Sequence, residues 1–513
     1  MKFKKEGTYS SIIHVLLLIL FAAVFVVGLC VTAVNKKVSD EHLTMEINNP
    51  LFIVLGLLGA VLFFGLLGLF YDKLIKRVNS HLLLCIFAVL IYALSVLWVF
   101  AAKVIPQSDA ELVYNVARDI ELHTQTPFLE DSYITFYPYQ LGFVSFLRIL
   151  IKIFGVDNFT AYECVLALFP ILALLSGYGI IFRTFFDNAK KAAFFFEMLM
   201  FLCVPLYVYV PFMYGDIPFM AVSLFVIYMT LECYDRPKVW KIILLFLGAG
   251  VNYLFKSNAL ITLTAAAIFL IVKLITDKKK VLSAILILIL FVGTFLLSAI
   301  NVSRYRMYLS KDLDSVPMIA PIVMGMNDDN GNAGWCNFYD QLNFVASDYD
   351  AEASKELAYS DLKVILKDWA HNPKKAVGFF FRKINLQWNA PMYQCLCMTS
   401  VRDVENESPF ALKIYTDTGY QNFLDKFMKL YQLMVYGSIS FMLVINVKSS
   451  KKRDFGEYLL LLTVFGCFLF SLIWEAKTRY VFPAFIMCLP VAAASVSEMT
   501  EKVFVLFSKK KGK

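Results

Sequence analysis

Twelve apolar runs recur along the chain, near positions 11–34, 50–71, 82–102, 159–182, 192–212, 217–233, 240–255, 258–275, 281–300, 427–447, 457–474 and 480–498. A helix needs about 20 apolar residues to cross a bilayer, and within lipid only helices and closed barrels satisfy their own backbone polar groups. These runs predict an all-α polytopic membrane protein with about twelve transmembrane helices. A composition of 59% hydrophobic and 17% charged residues exceeds what a soluble core of 513 residues requires. The formal net charge of +8 does not indicate a nucleic-acid partner, because Lys and Arg sit in short clusters between the apolar runs.

The clusters predict orientation. With the N-terminus cytoplasmic, Lys73, Lys76 and Arg77, then Arg183, Lys190 and Lys191, then Arg236, Lys238 and Lys241 all face inward. So do Lys278, Lys279 and Lys280, then Lys448, Lys451, Lys452 and Arg453, and the tail Lys509, Lys510 and Lys511. This is the positive-inside bias, and it predicts a multi-pass protein of the cell membrane with both termini cytoplasmic. The basic lead of the N-terminus resembles a signal peptide. Its apolar part is too long and lacks a small-residue cleavage site, so it reads as a retained helix.

The same orientation puts five polar elements outside: the loop 103–158, the Tyr214-Gly215-Asp216 turn, the Phe255-Lys256-Ser257-Asn258 turn, the segment 301–426 and the turn from Glu475 to Arg479. The first loop carries Asp109, Glu111, Asp119, Glu121, Glu130 and Asp131 directly after an apolar run. Ionisable groups at such a boundary are costly and point to function. Lys256, Lys477 and Arg479 lie on the same face as these acids and Asp216. The spacing predicts a helix from Asp109 to Leu122 with Ser108 as N-cap and Glu111 at its third position, which reads equally as a capping box. A second, partly apolar helix is expected from Tyr137 to Phe154, along the membrane surface.

Segment 301–426 is the only soluble-type stretch, a mixed extracytoplasmic domain with Gly- and Asn-rich turns and a helical pattern over about 351–387. Its aromatics, Trp335, Phe338, Tyr339, Trp388 and Tyr393, suit either sugar stacking or a small core. Seven of the ten cysteines lie in apolar runs, and Cys336, Cys395 and Cys397 complete neither a disulfide set nor a zinc site. The chain has no P-loop, GxSxG or HExxH motif, which argues against an ATP-driven transporter, a serine hydrolase and a zinc protease.

From Ser108 to about Ala267 the sequence resembles the membrane-embedded glycosyltransferases of the GT-C class, nearest to the family 39-like group of protein O-mannosyltransferases and lipid A aminoarabinose transferase. The features are Asp109 after an early helix, Tyr137-Pro138-Tyr139-Gln140-Leu141-Gly142, Tyr214-Gly215-Asp216-Ile217-Pro218, Lys256-Ser257-Asn258 and Thr478-Arg479-Tyr480-Val481-Phe482-Pro483. The usual Asp-Glu pair is here Ser108-Asp109 followed by Glu111, and Tyr-Pro-Pro is Tyr-Pro-Tyr. The resemblance implies two extra helices over 1–80, a GT-C-like core over 81–300, the loop domain 301–426 and closing helices over 427–513.

It also implies a membrane-bound hexosyl or glycosyl transferase. The donor would be a polyprenyl-phosphate sugar and the acceptor a cell-envelope glycan, lipid or protein, with membrane lipids as further partners. Asp109, with Glu111 and Asp216 as alternatives, would be general base on the extracytoplasmic face. Tyr137, Lys256, Lys477, Arg479 and Tyr480 would bind substrate, the cations offsetting the phosphate of the leaving group. No cofactor is required, although the acids permit a divalent cation. The alternatives are a transporter or flippase of lipid-linked saccharides, and a polymerase or ligase of them. The largely charge-free span interiors and the lack of a visible repeat speak against a transporter.

Overall fold

The computed structural model describes residues 2–38, 40–124, 132–185, 188–305, 315–328, 333–400, 408–448 and 455–510. Glu130 and Asp131, residues 329–332 of the Asn-rich turn, the cluster 451–453 and Lys511 lie outside these. The chain is a predominantly helical membrane protein, with ten helices among the described residues long and apolar enough to span a bilayer. They are Ser10–Cys30, Pro50–Lys73, Ser80–Ala102, Phe159–Thr184, Asp216–Asp235, Ala259–Thr276, Lys280–Tyr305, Thr418–Asn446, Phe455–Ile473 and Phe482–Glu501.

Two of the twelve expected spans fall short. Val239–Phe255 is an apolar helix of 17 residues. The run 192–212 is not one helix: Ala189–Leu202 ends before Pro205, and Val204–Val208 restarts with that proline in its first turn. A proline cannot continue the preceding hydrogen-bond ladder, but it fits the start of a new helix.

The first span also ends earlier than its hydropathy suggests. After Cys30 the chain forms strand β1 (Val31–Asn35), paired antiparallel with β2 (Leu43–Ile47), in a hairpin that the sequence reading missed. Val31, Thr32 and Val34 are β-branched and favour this geometry as well as lipid. The hairpin is fixed to the later chain where the Ala33 amide donates to the Asn389 carbonyl at 3.0 Å.

Helices sort by which face is apolar. Pro50–Lys73 exposes Leu51, Leu55, Leu58, Val61 and Leu62 toward lipid. Asp216–Asp235 and Phe482–Glu501 are instead apolar all round and almost wholly enclosed, as a central helix must be. Around the first of these, Ser223 bonds Asn252 of Val239–Phe255 at 3.0 Å and Thr262 of Ala259–Thr276 at 3.2 Å, holding three helices together. Both central helices begin at one end of the bundle, where Ser80–Ala102 and Val239–Phe255 finish. At the opposite end Glu232 bridges Arg183 and Lys241.

The described part of 301–426 is helical and packs back on the site end. The pattern over 351–387 is two helices, Ala351–His371 and Pro373–Trp388, divided at Asn372, whose side chain caps the second. Trp388 and Tyr393 are core residues, 1% and 0% exposed, which decides against sugar stacking there.

Candidate active site

The first loop opens with the helix Asp109–Glu121 as expected, but Ser108 has φ +51° and its side chain makes no cap bond. The capping-box reading therefore fails, and Asp109 is free to turn elsewhere. Its Oδ2 accepts from Arg479 Nη2 at 2.6 Å. Arg479 is 3% exposed, in a short 3-10 turn just before the last span. Burial raises the Asp109 carboxyl, but Arg479, Lys477 and Lys256 outweigh it and hold it below the ordinary carboxylate range. Glu111, two residues on, is exposed and has no ion pair among the described residues.

A second pair lies beside the first. Asp216 opens its span with Pro218 in the first turn, and its Oδ1 accepts from Lys256, at the end of Val239–Phe255. Gly215 is what allows the approach, since a Cβ there would fall on the Phe255 carbonyl oxygen. Gly142 is pressed in the same way on the Leu254 backbone. Tyr480 joins the two pairs: Lys256 Nζ lies 4.6 Å and Arg479 Cζ 5.2 Å from its ring centre. Tyr214 is a second shared face, at 5.7 and 5.1 Å.

Lys477 sits between Glu475 at 3.6 Å and Glu41 of the hairpin at 3.9 Å, with its ammonium 5.5 Å from the Trp335 ring centre. Burial lowers its amine, but Glu475, Asp109 and Glu41 together outweigh burial and leave it above the usual lysine value. Tyr480 donates to Glu475 at 3.0 Å. Four of the five expected binding residues and two of the three expected acids thus meet in one cluster.

Tyr137 is the exception among the binding residues. The expected helix 137–154 begins only at Leu141, after the short helix Tyr133–Phe136 and a 3-10 turn. Tyr137 donates to Asp340 Oδ2 at 2.7 Å, which ties the Tyr-Pro turn to the helix Tyr339–Ala346. Burial raises the Asp340 carboxyl. Gln140 reaches the cluster from the same turn by donating to the Tyr214 hydroxyl, which also bonds Tyr133 at 3.0 Å.

The sequence reading did not single out Glu41, Asp340, Glu475 or Tyr133. Glu475 shares a turn with Lys477 and was legible by proximity. Asp340 and Glu41 reach the site only through tertiary packing and carried no local signal.

Among the described residues no three His, Cys, Asp or Glu side chains are grouped to hold a metal ion. Asp109 and Asp216 each give one oxygen to a cation of the protein. Two atoms of the cluster are buried without hydrogen-bond partners: the acceptor Asp216 Oδ2 and the donor Arg479 Nε. Buried polar atoms are nearly always satisfied, so an open donor and an open acceptor in one site point to a polar ligand.

The fold and cluster define a helical membrane protein with a buried, paired-charge site at one end of its bundle. Residues 141–296 match the family model of dolichyl-phosphate-mannose-protein mannosyltransferases. The resemblance to membrane-embedded glycosyltransferases read from the motifs stands for this segment. No curated protein matches the chain. Among solved structures the chain is similar to the apo oligosaccharyltransferase of Archaeoglobus fulgidus, with 15% identity, TM-score 0.47, and coverage of 86% of this chain and 52% of that one. The same organism's oligosaccharyltransferase AglB, in complex with an inhibitory peptide and a dolichol-phosphate, gives 13% identity, TM-score 0.44, and coverage of 86% and 52%. ArnT from Cupriavidus metallidurans in the apo state gives 14%, 0.33, and 82% and 76%. The chain spans about half the length of the two archaeal structures. Likeness at this level sets neither substrate nor partner.

Proposed function

We propose that this chain is a glycosyltransferase that moves a sugar from a polyprenyl-phosphate donor to a hydroxyl of an extracytoplasmic acceptor, a cell-envelope glycan, lipid or protein. The observation that carries the reading is the joining of Asp109–Arg479 and Asp216–Lys256 across Tyr480 and Tyr214, with an unfilled donor on Arg479 and an unfilled acceptor on Asp216. In this reading the positive-inside bias sets the site end outside the membrane and both termini in the cytoplasm.

The donor phosphate enters against Arg479, whose open Nε and shared Nη2 form a planar fork suited to phosphate oxygens, with Lys256 and Lys477 as flanking point charges. Asp109 is 30% exposed at its side chain, enough for an acceptor to approach. As the acceptor oxygen bonds to the anomeric carbon, its proton passes to Asp109. The bond from the anomeric carbon to the phosphate oxygen breaks, and the electron pair leaves with the polyprenyl phosphate. A depressed carboxylate is a weak base, so the design gains strength when phosphate draws Arg479 away from Asp109. Asp216 Oδ2 is suited to accept from a sugar hydroxyl.

The test is transfer in proteoliposomes from a panel of radiolabelled polyprenyl-phosphate sugars to an envelope extract. Wild type is expected to transfer label, and folded Asp109→Asn to lose about a hundredfold or more. Full activity in the variant would remove Asp109 as base. Movement of lipid-linked sugar between leaflets without transfer would replace the enzyme by a transporter.

A further inference from the structure

Lys383 is a buried charge outside the charge cluster. It lies on Pro373–Trp388 in the loop domain and is 0% exposed. It has no carboxylate partner among the described residues. Its ammonium donates to the Gly325 carbonyl and, at 2.7 Å, to the Trp474 carbonyl, with the Phe379 ring centre 5.7 Å away. Gly325 ends the helix Ile319–Gly325, and Trp474 is the C-cap of Leu459–Ile473. Last-turn carbonyls lack partners within their own helix and carry partial negative charge, so one cation between two such ends satisfies both.

The junction matters because of the chain just past Trp474. The next six residues supply Glu475, Lys477, Arg479 and Tyr480 to the site. Other contacts also anchor that strap: the Ala476 amide donates to the Gly334 carbonyl at 2.7 Å, Thr478 bonds Gln394 at 2.9 Å, Lys477 pairs with Glu41 at 3.9 Å, and Arg479 bonds Asp109. Gly334, at φ +75°, lies so close to Lys383 that a Cβ would meet its Nζ. Gly325 is pressed likewise on the Trp474 backbone. The lysine therefore fills the centre of a joint where two glycines let the loop domain touch the strap.

We infer that Lys383 is the positioning residue of the site: by clamping the Gly325 and Trp474 carbonyls it fixes the strap from which Arg479, Lys477, Glu475 and Tyr480 project. The kinetic side of this inference rests on the sugar-transfer reading, whereas the structural side does not. Without the lysine, the buried Gly325 carbonyl and the part-buried Trp474 carbonyl lose a donor and the strap loses its first anchor, while its other anchors remain.

The experiment uses the full chain in nanodiscs, comparing wild type, Lys383→Met and Lys383→Gln, the last retaining an uncharged N–H donor group. Amide hydrogen exchange is read over 474–481 and over 239–247 at the far end of the bundle. Lys383→Met is expected to exchange at least tenfold faster over 474–481 with 239–247 unchanged, and Lys383→Gln to fall between. An unchanged strap, or equal acceleration of both segments, overturns the inference; if Lys383→Met does not fold, Lys383→Gln carries the same comparison.

With the best polyprenyl-phosphate donor, kcat is expected to fall at least tenfold with KM within about twofold. The same substitution in an Arg479→Lys background should cost much less, because both act through one side chain. Equal cost in both backgrounds overturns positioning through Arg479. A wild type that transfers no sugar sinks the functional reading alone, and the exchange result still decides the role of Lys383.

Discussion

Arg479 Nη2 and Asp109 Oδ2 meet at 2.6 Å across 370 residues of chain, joining the turn before the last span to the first residue of the first loop helix. Because Arg479 is what chiefly offsets the effect of burial on Asp109, the pair predicts a pH profile. The depressed carboxyl contributes stability above the ordinary Asp value of about 3.9, and this is lost as pH falls through its folded value. In Arg479→Gln burial remains while the main counter-charge is gone. The acid limb of the kcat/KM profile is expected to move up by about one pH unit or more. A pH titration of transfer by the two proteins checks this, and an unmoved limb assigns the titration to another group.

Asp216 and Lys256 form a buried pair, and removal of one partner leaves the other charge stranded. Lys256→Met and Asp216→Asn are each expected to destabilise the protein by about 3–5 kcal/mol. The double variant should cost less than the two together, since no unpaired charge remains. Thermal unfolding in detergent of all four proteins gives the comparison, and strict additivity would show that the pair is not coupled.

Gly215→Ala sets a methyl group against the Phe255 carbonyl oxygen, and this neighbour is backbone, which cannot rotate away. The turn must shift, at about 1–3 kcal/mol, and Asp216 moves with it. Both the unfolding midpoint and transfer activity are expected to drop, whereas Gly59→Ala, where nothing lies within 4 Å, should change neither.

Glu111→Gln removes an exposed acid two residues beyond Asp109 on the same helix. Its effect on stability is expected within about 0.5 kcal/mol and on activity within about twofold. Side-by-side assays with Asp109→Asn separate the two acids that the sequence left in competition.

Lys383 carries a pH signature of its own. Burial pushes its amine down to about 7, whereas in the unfolded chain it titrates near 10.4. Below about pH 7 the cost of burying the charge is fully present. Between about 7 and 10 only the unfolded chain holds the proton, so stability rises with pH. The unfolding midpoint of wild type relative to Lys383→Met should therefore increase from pH 6.5 to pH 9, and a constant difference would count against a depressed lysine.

The apolar runs by themselves determined a helical membrane protein, because lipid leaves the backbone no other open solution. The acids and cations at their ends were legible too, since a charge at a span boundary is costly enough to stand out: Asp109, Asp216, Lys256, Lys477 and Arg479 were all visible as residue types. Tertiary structure alone decided who pairs with whom. Asp109 rather than Glu111 turns inward because Ser108 declines the cap and Arg479 draws the carboxylate. Tyr137 meets Asp340 rather than the cluster because the helix expected from Tyr137 starts four residues late, at Leu141. Periodicity could not find the hairpin, where β-branched residues continue an apolar run without a break in hydropathy. Glu41, Asp340 and Lys383 also stayed hidden, since a charged residue in a polar segment looks solvated until long-range packing removes the water around it.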